Sequence, residues 1–178
     1  IKKFTNNKFD KIKLNENSLP KTDVRTYSII DKEFNNNLFS EEKKLLVFDN
    51  NLSFETTEFT NKNFEKIFLV LNSNETRKIK LSEKVLNFKK FLIHDQKIRL
   101  KQKSISCEII NIEELKNINE DIYALYPSVG ENLDYINSIN IKNIKFLYRK
   151  IDKYSWKFCN KGFFNFKNYI PKIVQEFI

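Results

Sequence analysis

The chain has 178 residues, of which 40% are hydrophobic and 14% aromatic, and its formal net charge is +9. This composition excludes a disordered tail and is sufficient for one domain with a buried core. No apolar stretch approaches the roughly 18 to 20 residues that a membrane span needs, so we expect no membrane partner. With one histidine and two cysteines, neither a zinc site nor a disulfide framework is expected, and reduced thiols favour a cytoplasmic protein.

The first 40 residues differ from the rest. They contain Pro20 and the asparagine run Asn35-Asn36-Asn37, and they show no sustained hydrophobic period. We interpret residues 1–40 as an irregular N-terminal extension and residues 41–178 as one Rossmann-like α/β domain. Because the chain starts at Ile1 rather than Met, a fragment of a longer chain is one interpretation.

Five short apolar runs, separated by polar or amphipathic segments, dominate the region from Lys44 to Asp152. Near-continuous apolar runs of this length are typical of strands covered on both faces, as in a parallel sheet. The sequence therefore predicts a three-layer α/β domain with a mostly parallel five-stranded sheet. The runs are Leu45–Phe48, Ile67–Leu71, Ser106–Ile110, Ile122–Tyr126 and Ile144–Tyr148.

A long helix is predicted from about Ser82 to Lys101, between the second and third runs. We expect it to pack on the sheet through Val85, Phe88 and Leu92, which share one face at helical spacing. A second helix follows the fourth run, where Ser128-Val129-Gly130-Glu131 has the pattern of a capping box. Lys145 within the fifth run indicates a strand near an edge of the sheet.

Ligands of open α/β sheets bind beyond the carboxyl ends of the strands, where loops and helix N-termini converge. Polar and turn-forming residues end three of the runs at this edge. The predicted ligand-binding residues are Asn50, Asn72, Ser73, Pro127 and Ser128. For Ser128, helix capping is the alternative to anion binding.

The C-terminal part of the chain is strongly basic. From Ile141 to Ile178 it has nine lysine or arginine residues and two acidic ones, which accounts for seven of the nine net positive charges. Interleaved aromatic rings make nucleic-acid binding, including DNA, one interpretation. The other is a solvated lysine-rich surface. The predicted contacts are Lys150, Lys153, Trp156, Lys157 and Lys161.

No catalytic motif is present, and the sequence leaves open whether the chain is an enzyme. Gly130 and Gly162 are its only glycines, which excludes a Walker loop and a Gly-x-Gly-x-x-Gly dinucleotide fingerprint. Catalytic residues therefore stay unassigned, and no metal site is expected.

Three segments resemble the N-terminal α/β domain of the photolyase and cryptochrome family, including its photolyase-related branch. The similarity covers roughly Lys44 to Ile173. It lies in the opening strand and turn, in a helix-then-strand unit, and in a Gly-aromatic-x-x-Phe segment. These segments are Leu45–Leu52, Phe88–Ile109 and Lys161–Lys167.

The resemblance implies the α/β domain of a flavoprotein that supports light-dependent DNA repair or photosensing. In that family, flavin and damaged DNA bind a C-terminal helical domain, which this chain lacks, so no cofactor is expected here unless such a domain exists. The α/β domain of the family can hold an antenna chromophore at its strand ends. The alternatives are a standalone Rossmann-like domain that binds nucleic acid or a protein, and a small-molecule or nucleotide transferase.

Overall fold

The fold is described from a computed structural model, which describes residues 43–139, 141, 144–159 and 162–177. The predicted extension 1–40 and Lys161 lie outside these residues. Five parallel strands form one sheet in the order β3-β2-β1-β4-β5, so the predicted fold class is confirmed. The strands are β1 (Leu45–Phe48), β2 (Ile67–Leu71), β3 (Cys107–Asn111), β4 (Ile122–Leu125) and β5 (Ile144–Leu147).

Five α-helices lie in the described part of the chain. They are α1 (Glu83–Gln102), α2 (Glu131–Ile139), α3 (Lys150–Trp156), α4 (Phe163–Phe166) and α5 (Ile170–Phe177). Short 3₁₀ segments span Phe54–Thr56, Ile112–Asn117 and Lys167–Tyr169. None of the described helices is both long enough and apolar enough to cross a bilayer.

The central strands are buried because apolar layers cover both faces of the sheet. All four residues of β1 and all four of β4 are buried, which is why their sequences are continuously apolar. One layer consists of Leu45, Val47, Phe54, Phe59, Ile67, Leu69, Ile93, Leu100, Tyr123, Leu125 and Leu147. The other consists of Leu46, Phe48, Val70, Ile110, Ile112, Leu115, Ile122, Ala124 and Ile136.

The strand order places a topological switch point between β1 and β4. The chain proceeds from β1 outward to β2 and β3, and then returns to the other side of β1 for β4 and β5. The connection after β1 contributes Phe54 to one apolar layer, whereas α2, which follows β4, contributes Ile136 to the other. The two connections diverge, and a crevice forms between them at the carboxyl ends of the strands.

The predicted edge position of the fifth strand agrees with the structure. β5 ends the sheet on one side, and its Lys145 side chain is exposed. A charged side chain at this place is compatible with an edge because the strand has only one neighbour.

The predicted packing face of α1 is wrong. Phe88 is 60% exposed, and Val85 and Leu92 are also exposed. The helix instead buries Ile93, Gln96 and Leu100. This face was hidden in the sequence because its middle residue is polar. Gln96 is accommodated because its Nε2 donates to Glu55 Oε2 at 2.7 Å and its Oε1 accepts from Arg99 Nη2 at 2.6 Å.

Candidate ligand-binding site

Side-chain hydrogen bonds hold together the two loops that border the crevice. Asn50 and Asn51 follow β1, while Tyr126 and Pro127 follow β4. Asn50 Nδ2 donates to the Pro127 carbonyl at 2.5 Å, and Asn51 Nδ2 donates to the Tyr126 carbonyl at 2.9 Å. Two asparagines therefore fix the separation of the loops at the switch point.

Asn132 in the first turn of α2 connects the sequence-predicted residues Asn50 and Asn72. Its Nδ2 donates to Asp49 Oδ1 at 2.9 Å and, more weakly, to Asn50 Oδ1 at 3.4 Å. Its Oδ1 accepts from Asn72 Nδ2 at 3.0 Å. The structure thus brings Asn50, Asn72 and Pro127 into one network. Asn132 itself was missed, because an asparagine inside a helix carries no signal of burial.

The other two predicted residues do not join this network. Ser73 Oγ donates to Glu113 Oε1 at 2.5 Å, so its hydroxyl is directed to the connection after β3. Ser128 is exposed and has a positive φ of 61°. The predicted capping box is wrong: α2 begins only at Glu131, three residues after Ser128, and the Glu131 carboxylate pairs with Arg77. An N-cap residue must directly precede the helix, a position that Gly130 occupies.

A buried charge network lies beside these amides. Asp49, whose side chain is 1% exposed, accepts from Lys89 Nζ at 2.6 Å. Arg77, equally buried, pairs through Nη1 with Glu131 and has its Nη2 at 3.7 Å from Asp49 Oδ2. Two cations and two carboxylates are thereby brought together from four separate segments. The sequence gave no sign of this pairing, since charged residues on helices and loops are usually solvated.

On the other side of the β1 loop there is a cleft with an empty volume of about 250 Å³. Its most polar wall is formed by Arg149 and Asp152, which make a bidentate ion pair with N–O distances of 2.7 and 3.0 Å. The cleft lies at the carboxyl ends of β1, β4 and β5. Its lining residues are Asn51, Ser53, Thr57, Leu125, Tyr126, Leu147, Arg149 and Asp152.

An aromatic cluster adjoins the cleft through Tyr126. Its ring centroid lies 4.6 Å from that of Tyr148 and 5.7 Å from that of Trp156. Burial raises the pKa of the Tyr126 phenol, and burial followed by the proximity of Tyr126 raises the pKa of Tyr148. The phenols are therefore neutral hydrogen-bonding groups at physiological pH.

The predicted nucleic-acid residues have different surroundings. Trp156 is half-buried against Tyr126 and Tyr148, so its ring already has stacking partners. Lys150 and Lys153 lie on α3, and Lys157 directly follows it. These contacts stay predictions.

Exposed rings lie further along this basic end. Phe163 is 67% exposed and Phe164 80%, and Lys167 Nζ lies 5.7 Å from the Phe164 ring centroid. A cation beside an exposed ring is an arrangement that favours an unstacked base.

Over the described residues, no group of three or more His, Cys, Asp or Glu side chains is arranged to hold a metal ion. Comparisons with known proteins give no family assignment: no protein-family description, curated protein or solved structure matches this chain.

Proposed function

We propose that this chain is a small-molecule-binding α/β domain whose ligand occupies the cleft at the carboxyl ends of β1, β4 and β5. The observation that supports the proposal is the position of the cleft beside the switch point, where open α/β sheets bind their ligands. Its lining combines an aromatic ring, an ion pair and hydroxyl groups.

The lining suggests the chemistry of the ligand. Tyr126 provides a ring edge, Arg149 and Asp152 provide charged donors and acceptors, and Ser53 and Thr57 provide hydroxyls. A planar molecule with hydrogen-bonding groups on its edge matches this set. The empty volume of about 250 Å³ is below the roughly 300 to 1,000 Å³ of most ligand pockets, so the cleft would enclose one part of such a molecule.

The finer form of the proposal is the α/β domain of a photolyase- or cryptochrome-like flavoprotein. It is supported by the order of strands and helices and by a crevice where that family can hold an antenna chromophore. In this form the domain would work with a helical flavin domain, and its own ligand would be a light-absorbing planar molecule.

Trp156 gives a direct test, since it is the only tryptophan in the chain and contacts the cleft residue Tyr126. We expect saturable quenching of its fluorescence by at least one planar compound from a panel of flavin, deazaflavin, reduced folate and nucleotides. Ser53→Phe, which fills the cleft, should abolish quenching. Ser138→Phe, on an exposed position of α2, should leave it unchanged. Equal quenching in both variants, or none in the parent chain, would refute the cleft as the site.

A second candidate, nucleic-acid binding at the basic end, is favoured by the exposed Phe163 and Phe164 beside Lys167. Ordinary lysine-rich surfaces do not expose two adjacent rings. Duplex affinity should then fall by about 0.9 log units per log unit of salt for each neutralised phosphate. Phe164→Ala should weaken binding to single strands, where stacking contributes roughly 1 to 3 kcal/mol per base.

A matched pair of quadruple variants separates specific contact from general charge. The first replaces Lys150, Lys153, Lys157 and Lys161 by alanine. The second replaces four exposed lysines on or just after α1, namely Lys84, Lys90, Lys101 and Lys103. Fluorescence anisotropy with labelled DNA should show weaker binding only for the first variant. The same affinity for both variants would exclude a defined interface at the basic end.

A further inference from the structure

A closed loop inserts Arg77 into the crevice. The loop runs between Asn74 and Leu81, which close its base with a reciprocal pair of hydrogen bonds. Asn74 Nδ2 donates to the Leu81 carbonyl at 2.9 Å, and the Leu81 amide donates to Asn74 Oδ1 at 2.9 Å. At the tip, Lys78 and Ile79 are exposed, whereas the Arg77 side chain is only 1% exposed.

The Arg77 guanidinium is only partly satisfied. Its Nη1 pairs with Glu131, but Nε and Nη2 are buried and have no hydrogen-bond acceptor within the described part of the chain. The Asp49 carboxylate does not fill this role, because its Oδ2 lies 3.7 Å from Nη2 and bonds Lys89 instead. Leaving charged donors buried without acceptors is costly, and native proteins usually supply an ion or water at such a place.

The two unpartnered atoms form one edge of the planar guanidinium group. Nε and Nη2 each direct an N–H to the same side, in the fork that matches two oxygens of a carboxylate or phosphate. The edge lies beside the N-terminus of the nine-residue helix α2, because Nη1 of the same group pairs with Glu131, the first residue of that helix. First-turn amides and the helix dipole also favour an anion there.

We infer that Arg77 is an anion-recognition residue, and that the crevice ligand carries a phosphate or carboxylate group that docks on its Nε–Nη2 edge. The inference rests on the proposed small-molecule function and adds the charge class of the ligand. Since both atoms are shielded from solvent, the tip of the 74–81 loop must lift for the anion to reach them. The Asn74–Leu81 pair would hold the base of the loop together during this movement.

Nuclear magnetic resonance of the arginine side chains tests this inference directly. The Nε–Hε signal of Arg77 is to be followed in the ¹⁵N-labelled chain during titration with inorganic phosphate, and in a parallel titration with acetate. We expect a saturable shift of this signal, accompanied by shifts of the Glu131 and Asn132 backbone amides. The anion with the lower dissociation constant identifies whether the ligand group is a phosphate or a carboxylate.

Arg77→Lys keeps the charge but removes the fork, so phosphate binding followed by the Glu131 and Asn132 amides should weaken about tenfold or more. Arg99→Lys is the control and should bind as the parent does. No saturable shift of the Arg77 signal with either anion would overturn the inference, and this readout requires no variant to fold. An Arg77 response without Trp156 quenching by the panel would leave the anion site standing and refute only the cleft. Quenching without an Arg77 response would do the reverse.

Discussion

Asp49 is the residue on which the crevice network depends. Its carboxylate accepts from Lys89 at 2.6 Å and from Asn132 at 2.9 Å, and it lies beside the buried Arg77. Asp49→Asn should lower the free energy of unfolding by about 3 kcal/mol. That is the lower end of the range for breaking a buried ion pair, because the Lys89 side chain, 24% exposed, can turn toward water.

Urea denaturation of the purified variant measures this loss. The control is Asp121→Asn, which removes an ion pair with Lys43 at the surface, where the aspartate side chain is 47% exposed. This control should change stability little. A loss of similar size in both variants would mean that the Asp49 network contributes no more than a surface pair.

The phenol groups of Tyr126 and Tyr148 make stability depend on alkaline pH. Burial raises the pKa of both above the ordinary value of about 10. The unfolded chain therefore releases these protons first as the pH rises. The contribution is fully present below pH 10, and it is lost as the pH rises through the higher pKa of the folded phenols.

Urea unfolding at pH 8 and at pH 11 checks this sign. Between these values Tyr126→Phe should lose less stability than the parent chain, because one ionisable phenol has been removed. Burial also raises the pKa of the Cys107 thiol, so both chains need to be compared at the same pH. An equal pH dependence in the variant and the parent would contradict the assigned role of Tyr126.

At the residue scale, turn chemistry identified part of the site. Asn50, Asn72 and Pro127 were predictable because asparagine and proline at strand ends mark loops, and loops at this edge of a parallel sheet converge. Arg77 and Asn132 were not predictable. Their burial depends on partners more than 50 residues away in sequence, and local residue type carries no information about such pairs.

At the scale of elements, α1 illustrates how a helix can present two apolar stripes and bury only the weaker one. Ile93→Ala should lower the free energy of unfolding by about 2 to 5 kcal/mol, since Ile93 is fully buried. Phe88→Ala should change it by less than about 0.5 kcal/mol, because that ring is 60% exposed. Thermal or urea denaturation of the two variants distinguishes these effects, and a larger loss for Phe88→Ala would restore the face predicted from the sequence.

The strands were predictable from sequence, whereas the orientation of α1 was not, and the reason is physical. A central parallel strand is apolar on both faces, so β1 and β4 appear as unbroken runs whatever their register. A helix must in addition choose an angle of rotation. In α1 that choice depends on Gln96, whose burial is permitted by hydrogen bonds to Glu55 and Arg99 that only the folded chain provides.

At the scale of the whole molecule, burial decreases from the centre of the sheet toward the C-terminal helices. β1 pairs with both β2 and β4, and all of its residues are fully buried. Across α3, α4 and α5, by contrast, Ile173 is the one residue that is buried. Amides with few buried neighbours open with small free energies, whereas central strands open only on global unfolding.

Hydrogen exchange followed by mass spectrometry should reveal this gradient. We expect peptides that cover β1 and β4 to exchange last, with rates that rise steeply with urea because the whole sheet must unfold. Peptides that cover α4 and α5 should exchange earlier and respond weakly to urea, since local opening exposes little surface. If these helices exchanged as slowly as β1 and with the same urea dependence, the C-terminal segment would instead belong to the cooperative core.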